Sequence, residues 1–272
     1  MRFIFIGGVL LAAILCQSAR AASPNATRDA ATCQNGPLSD RVEVCTRAIA
    51  SGEFQGAGLG VLYEKRGFMF QNGSKFGARK VRVESLDRGI ADFTAAIRAN
   101  PQSHAAYRYR GETYLAKMEF DKAVADFGEA IKALNLLPKT GSGLFSAYHE
   151  GRCRANTWSN RDLNQALADC TAAVADGRAQ PINRAITHYK LGKYDEAIAD
   201  FNAQLKIGAG NGESVYGRGL ARLKKGDRTE GQADIDAAKK LFPLDALIAM
   251  FTEYGIKADG SLGPPTPQFY TP

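Results

Sequence analysis

Small and aromatic residues recur along this chain at a fixed spacing of 34. The pattern Tyr63-x-x-Arg66-Gly67-x-x-Phe70 returns as Tyr107-x-x-Arg110-Gly111-x-x-Tyr114. Weaker copies follow at Ala147/Glu150/Gly151/Arg154, Pro181/Arg184/Ala185/His188 and Val215/Arg218/Gly219/Arg222, with positions 151, 185 and 219 each 34 apart. A second element travels with the first: Gly89-x-x-x-Phe93, Ala123-x-x-x-Phe127, Ala166-x-x-x-Cys170, Ala197-x-x-x-Phe201 and Gly231-x-x-x-Ile235. Pro101 and Pro243 each stand eight residues after the Phe93 or Ile235 position. A period of this length marks an array of stacked supersecondary units, each covering apolar surface its neighbour cannot bury alone.

Each unit reads as two amphipathic helices, for example 104–117 and 120–134, joined by a short turn such as Leu191-Gly192-Lys193-Tyr194. Gly111 and Ala123 are small so that the paired backbones approach closely, and Tyr114 and Phe127 fill the space beside that contact. Leu62, Ile97, Val124, Ile131, Leu167, Val174, Ile198 and Leu205 share the expected core. The Asp-Phe steps at 92–93, 126–127 and 200–201 are expected to hold a charge on the outer face of each second helix. The first unit carries about ten extra residues, 72–83, which include Lys75, Arg79, Lys80 and Arg82. The third has three more around 157–161, and a linker over 136–144 precedes it. These insertions are expected to be loops, which lengthen at small entropic cost.

The joint pattern over residues 57–243 resembles the tetratricopeptide repeat. The resemblance implies an all-α fold, an α-solenoid of stacked antiparallel helix pairs with N- and C-terminal capping helices. It divides the chain into a cap segment over 22–56, about five repeats over 57–243, a capping helix over 244–257 and a flexible tail over 258–272. The Cys-containing stretch CTRAIASG, the Cys153/Cys170 unit and the closing GLARLKKGD segment also resemble exported bacterial repeat proteins of unassigned function. In the family's register the first helices line a concave groove, which is expected to receive a protein or peptide partner. The residues placed there are Glu64, Phe68, Arg108, Glu112, Tyr148, His149, Arg152, Asn183, Tyr189 and Tyr216. Tyr and Arg are the types that dominate binding hot spots.

The N-terminus reads as an export signal. Arg2 supplies a positive charge, Phe3 to Cys16 is an uncharged apolar run, and Ala19-Arg20-Ala21 offers small residues for cleavage. Fourteen residues rise only about 21 Å as a helix, too short for a bilayer core of roughly 30 Å. A signal over 1–21, with no transmembrane segment in the mature chain, implies a periplasmic or secreted address. Four cysteines then remain, Cys33, Cys45, Cys153 and Cys170. An even number in an exported chain favours disulfides. Nearest-neighbour pairing is the simplest of three connectivities. The net charge of +7 falls to +5 (7 − 2) once Arg2 and Arg20 leave, and no dense basic block points to nucleic acid.

Chemical motifs are sparse. Histidine occurs only at 104, 149 and 188, without the spacing of a metal site. His149 and Cys153 share a helix face, but a nucleophile needs a free thiol. Gly56-Ala57-Gly58-Leu59-Gly60 lacks the Lys-Ser/Thr of a phosphate loop. Asn25-Ala26-Thr27 fits a glycosylation acceptor in an expected disordered terminus. The expectation is a non-catalytic scaffold without cofactor or metal. The alternatives are an envelope enzyme or glycan-acting protein using His149, Arg152 and Glu112, and a structural subunit of an envelope complex.

Overall fold

The computed structural model describes residues 21–37, 40–73, 79–137, 143–177, 179–208 and 211–265. The signal call on 1–21 therefore falls almost wholly outside the described residues, as does Lys75. Thirteen helices and no strand make up the described residues. They run as consecutive pairs: α1 (Pro24–Asn35) with α2 (Arg41–Ala50), α3 (Gly56–Gly73) with α4 (Arg79–Ala99), and α5 (His104–Ala116) with α6 (Phe120–Asn135). The series continues with α7 (Leu144–Ser159) and α8 (Leu163–Ala175), α9 (Ile182–Lys190) and α10 (Tyr194–Ile207), then α11 (Asn211–Lys225) and α12 (Arg228–Leu241). A last helix, α13, spans Leu244–Glu253.

Side-chain chemistry starts and stops these helices. Ser23 and Ser103 accept the backbone N–H of Ala26 and Ala106, and Asp162 accepts that of Gln165. Gly192 and Gly226 turn the chain out of α9 and α11 in left-handed backbone, φ 71° and 106°. Met118 holds the matching place after α5 at φ 58° without being glycine. Asn25 lies inside α1, which is ordered by its Ser23 cap, in place of the expected disordered terminus.

Within each unit the small residue of the first helix meets the ring of the second. A Cβ on Gly67 would come within 2.8 Å of the Phe93 ring, and one on Gly111 within 3.3 Å of Phe127. Ala185 with Phe201 and Gly219 with Ile235 repeat the contact in α9/α10 and α11/α12. In α7/α8 the pair is a disulfide, Cys153–Cys170, with Cα atoms 5.3 Å apart. Cys33–Cys45 likewise ties α1 to α2. Nearest-neighbour pairing is thus the observed connectivity.

A second regularity overturns the expected outward Asp. Asp92, Asp126, Asp169, Asp200 and Asp234 are all buried, each taking two bonds from an arginine of its own unit's first helix. The partners are Arg66, Arg110, Arg152, Arg184 and Arg218. Arg66, Arg110 and Arg218 also donate to Thr46, Thr94 and Asn202 on the preceding unit's second helix, which couples neighbours. This ladder corrects the register of the third unit. Arg152, not Glu150, matches Arg110, so Cys153 takes the Gly111 place. Gly151 instead makes room for the previous unit's ring, since its Cβ would lie 2.3 Å from Phe127. Gly217 does the same for Phe201, at 2.5 Å.

The first unit's insertion is not simply a loop. Most of it lengthens the pair, giving α3 18 residues and α4 21 against 13 and 16 in α5 and α6. Arg79, Lys80 and Arg82 fall within α4.

Candidate binding groove

Consecutive first helices, α3, α5, α7, α9 and α11, touch one another, while their second helices do not approach as closely. The first helices therefore line the inner face. The positions two before and two after each ladder arginine point there, because two residues turn a helix by about 200° away from the buried Arg side. They are Glu64 and Phe68, Arg108 and Glu112, Glu150 and Arg154, Ile182 and Ile186, and Tyr216 and Leu220. The inner face is charged along three units and apolar along two.

On the charged half, Arg108 pairs with Glu112 at 2.7 Å, and the two side chains keep 25% and 32% of their exposure. The Arg108 guanidinium lies over the Tyr109 and Tyr148 rings, and its Nε is buried without a hydrogen-bond partner. Glu64 accepts the Ser103 hydroxyl from the α5 N-cap. Burial raises the Glu64 carboxyl despite that bond. Arg154 lies over the Trp158 ring at 4.7 Å. Phe68 tilts against Tyr109.

Several expected groove residues serve packing instead. Tyr148 is 1% exposed, among Ala130, Ile131 and Tyr107. Burial pushes its phenol up to about 12, and its hydroxyl shares a hydrogen bond with His104 Nδ1, 2.6 Å away. His104 is in turn lowered by burial and by Arg108. His149 and Arg152 both bond Asp169. Burial would raise that carboxyl, but the bonds from His149 and Arg152 outweigh it and hold it below its ordinary 3.8. Asn183 donates to Glu150. In the third unit the inner positions are Glu150 and Arg154, two residues on from the expected Tyr148 and Arg152, because Arg152 is the ladder arginine. The spacing of each ladder Arg to its Asp, 16 residues in the second, fourth and fifth units and 17 in the third, is the signal that fixes it.

The apolar half is covered by the chain itself. The C-terminal helix closes the array from inside: α13 lies against α11 rather than continuing the stack beyond α12. Leu247, Phe251 and Tyr254 form one stripe at i, i+4 and i+7. Phe251 meets Tyr216 edge-on at 5.1 Å, and Tyr254 reaches both Glu213 and the Trp158 ring. The chain then turns at Gly255, pairs Ile256 with Leu262, and leaves the Gly260 carbonyl accepting from the Tyr189 hydroxyl at 2.7 Å. Residues 258–265 thus pack back on the array where a flexible tail was expected. Tyr189 and Tyr216 are 3% and 2% exposed beneath this segment. Lys190 lies under the same turn, 7% exposed, donating to the Thr157 carbonyl, and burial lowers it to about 8.

Among the described residues no group of three His, Cys, Asp or Glu gathers as a metal site, and no helix is long and apolar enough to cross a membrane.

A stack of two-helix units with the first helices inside, each pair closed by a small residue on a bulky one or by a disulfide, defines an all-α solenoid. Residues 76–135 and 182–207 match two family descriptions, both tetratricopeptide repeat. These two stretches are tetratricopeptide repeats. The chain is similar in fold to YrrB, a TPR protein with an unusual peptide-binding site, at TM-score 0.57 and 20% identity over 76% of this chain and 96% of that one. A tetratricopeptide repeat protein from Parabacteroides merdae aligns at TM-score 0.61 and 15% identity, covering 85% of this chain and 84% of the other. No curated protein matches the chain.

Proposed function

We propose that this chain is a non-catalytic scaffold that holds an extended protein or peptide segment on the charged half of its inner face, after export from the cytoplasm. The carrying observation is the contrast in how side chains are engaged. Each ladder arginine is fixed by two bonds to a buried Asp of another helix, whereas Arg108 and Glu112, 25% and 32% exposed, make a single ion pair with each other across one turn of their own helix. Groups held this loosely are free to exchange partners, since an exposed i, i+4 pair is worth about 0.3–0.5 kcal/mol. Phe68 adds an apolar surface beside them. Export rests on the signal-like sequence of 1–21, and the two cysteine pairs are consistent with an oxidising compartment.

The test compares natural protein with Arg108→Glu in capture of a cross-linked partner from envelope extracts. Capture should fall at least tenfold while thermal unfolding is unchanged. Equal capture by both proteins removes the assignment. Fractionation with N-terminal sequencing should find mature chain beginning at Ala22 in the envelope, and full-length cytoplasmic protein would refute the address.

A further inference from the structure

Three features of the C-terminal segment stand apart from the repeats. First, it is seated as a ligand would be. Leu247 and Phe251 are 0% and 1% exposed in one cluster with the inner-face residues Ile186, Tyr216 and Leu220, and Phe251 meets the Tyr216 ring directly. Second, its connection to the array is a single extended link: Phe242 has φ −143° and ψ 148°, is 48% exposed, and precedes Pro243. The segment can therefore leave without unwinding α12. Third, its fit is incomplete in polar terms. Trp158 Nε1 and Ser214 Oγ are buried with no hydrogen-bond partner. The Lys190 ammonium, beneath the Gly255 turn, meets the Thr157 carbonyl rather than a carboxylate among the described residues, and a buried cation without a counter-charge is costly.

We propose that residues 244–265 are a built-in competitor for the apolar half of the inner face. The partner they compete with is a protein helix with an apolar residue, an aromatic residue and a tyrosine at i, i+4 and i+7, copying Leu247, Phe251 and Tyr254. This site is separate from the charged half.

Hydrogen exchange of the full chain supplies the first test. Amides of 245–262 should exchange at least tenfold faster than those of α11, reporting release below the level of global unfolding. Equal protection would make the segment a permanent part of the core and overturn the proposal. The second test adds a synthetic peptide of residues 244–262. Trp158 is the only tryptophan in the chain. Its emission therefore reports the seat. The peptide should bind the Phe251→Ala protein at least tenfold more tightly than the natural protein, whose own segment competes. If Phe251→Ala loses helicity, Tyr254→Phe, which removes the Glu213 bond, takes its place. No change in Trp158 emission on a folded variant, or equal binding to natural and variant protein, defeats the proposal. Arg108→Glu should leave this peptide's binding unaltered, which separates the outcome from that at the charged half.

Discussion

The two halves of the inner face are built on one frame and end in opposite states. Both carry the Arg–Asp ladder and the same small-on-ring packing. They differ at two positions per unit. Glu64/Phe68, Arg108/Glu112 and Glu150/Arg154 leave three units wet, whereas Ile182/Ile186 and Tyr216/Leu220 make the last two apolar enough to require a cover. What the array binds is thus decided by residues that contribute little to holding it together, and what holds it together contributes little to binding.

The largest effect that tests this contrast is truncation of an aromatic ring on each half. Phe251→Ala should cost about 3–5 kcal/mol in urea unfolding, because it empties a fully buried site. Phe68→Ala, half-buried on the charged half, should cost about 1 kcal/mol. Comparable losses would erase the distinction between covered and open.

The halves should also part in their response to pH. Lys190 is lowered from 10.5 to about 8, so between those values the unfolded chain holds a proton that the folded chain has released. Stability at Lys190 therefore rises from pH 8 toward 10.5, by up to about 3 kcal/mol. Subtracting the same titration of Lys190→Met isolates that rise, and identical curves would mean the ammonium is not held dry. Asp169 and Asp200 behave in the opposite sense. For both, burial is outweighed by bonds from His149 and Arg152 or from His188 and Arg184, and the carboxyl is lowered. Their contribution is complete above the ordinary carboxylate value and is lost as the pH falls through the folded one.

Smaller still is the effect at the seam between units. Gly151→Ala drives a methyl into the Phe127 ring and should destabilise by about 1–3 kcal/mol. Gly128→Ala, whose Cβ would meet only Arg152 at 3.9 Å, should stabilise by about 0.5–1 kcal/mol through helix propensity. The same sign for both would mean that close packing does not set the seam. Smallest, Arg108→Ala should change stability by less than about 0.5 kcal/mol. A larger loss would place Arg108 in the frame rather than on the free surface.

The repeat was legible because close approach of two helices demands a small residue opposite a ring, and that demand returns every 34 residues. The register of the third unit was not. Glycine is a good marker of close approach, but Gly151 accommodates the preceding unit and Cys153 replaces the expected small residue. Pairing each Arg with an Asp one helix later would have revealed this, and would have shown Asp92, Asp126 and Asp200 to be buried. The helix at 244–253 was legible from its apolar stripe. Its seat was not, since a stripe says that a face is covered and not by what. Tyr216 falls on the inner face by register while Tyr189 lies outside it, and both lie beneath a segment far along the chain.

The Cys153–Cys170 bond has a consequence for how the array fails. In a linear stack, stability is a sum of unit and neighbour terms, and fraying begins wherever that sum is lowest. Exchanging a buried ring for a sulfur removes apolar area from the third unit, which would make the middle the natural breaking point. Closing this loop by a covalent bond offsets that loss by about 3 kcal/mol in the chain-entropy picture. Under oxidising conditions the stack should therefore come apart from its ends inward. With the bond reduced it should snap at its waist, between the charged half and the half that covers itself.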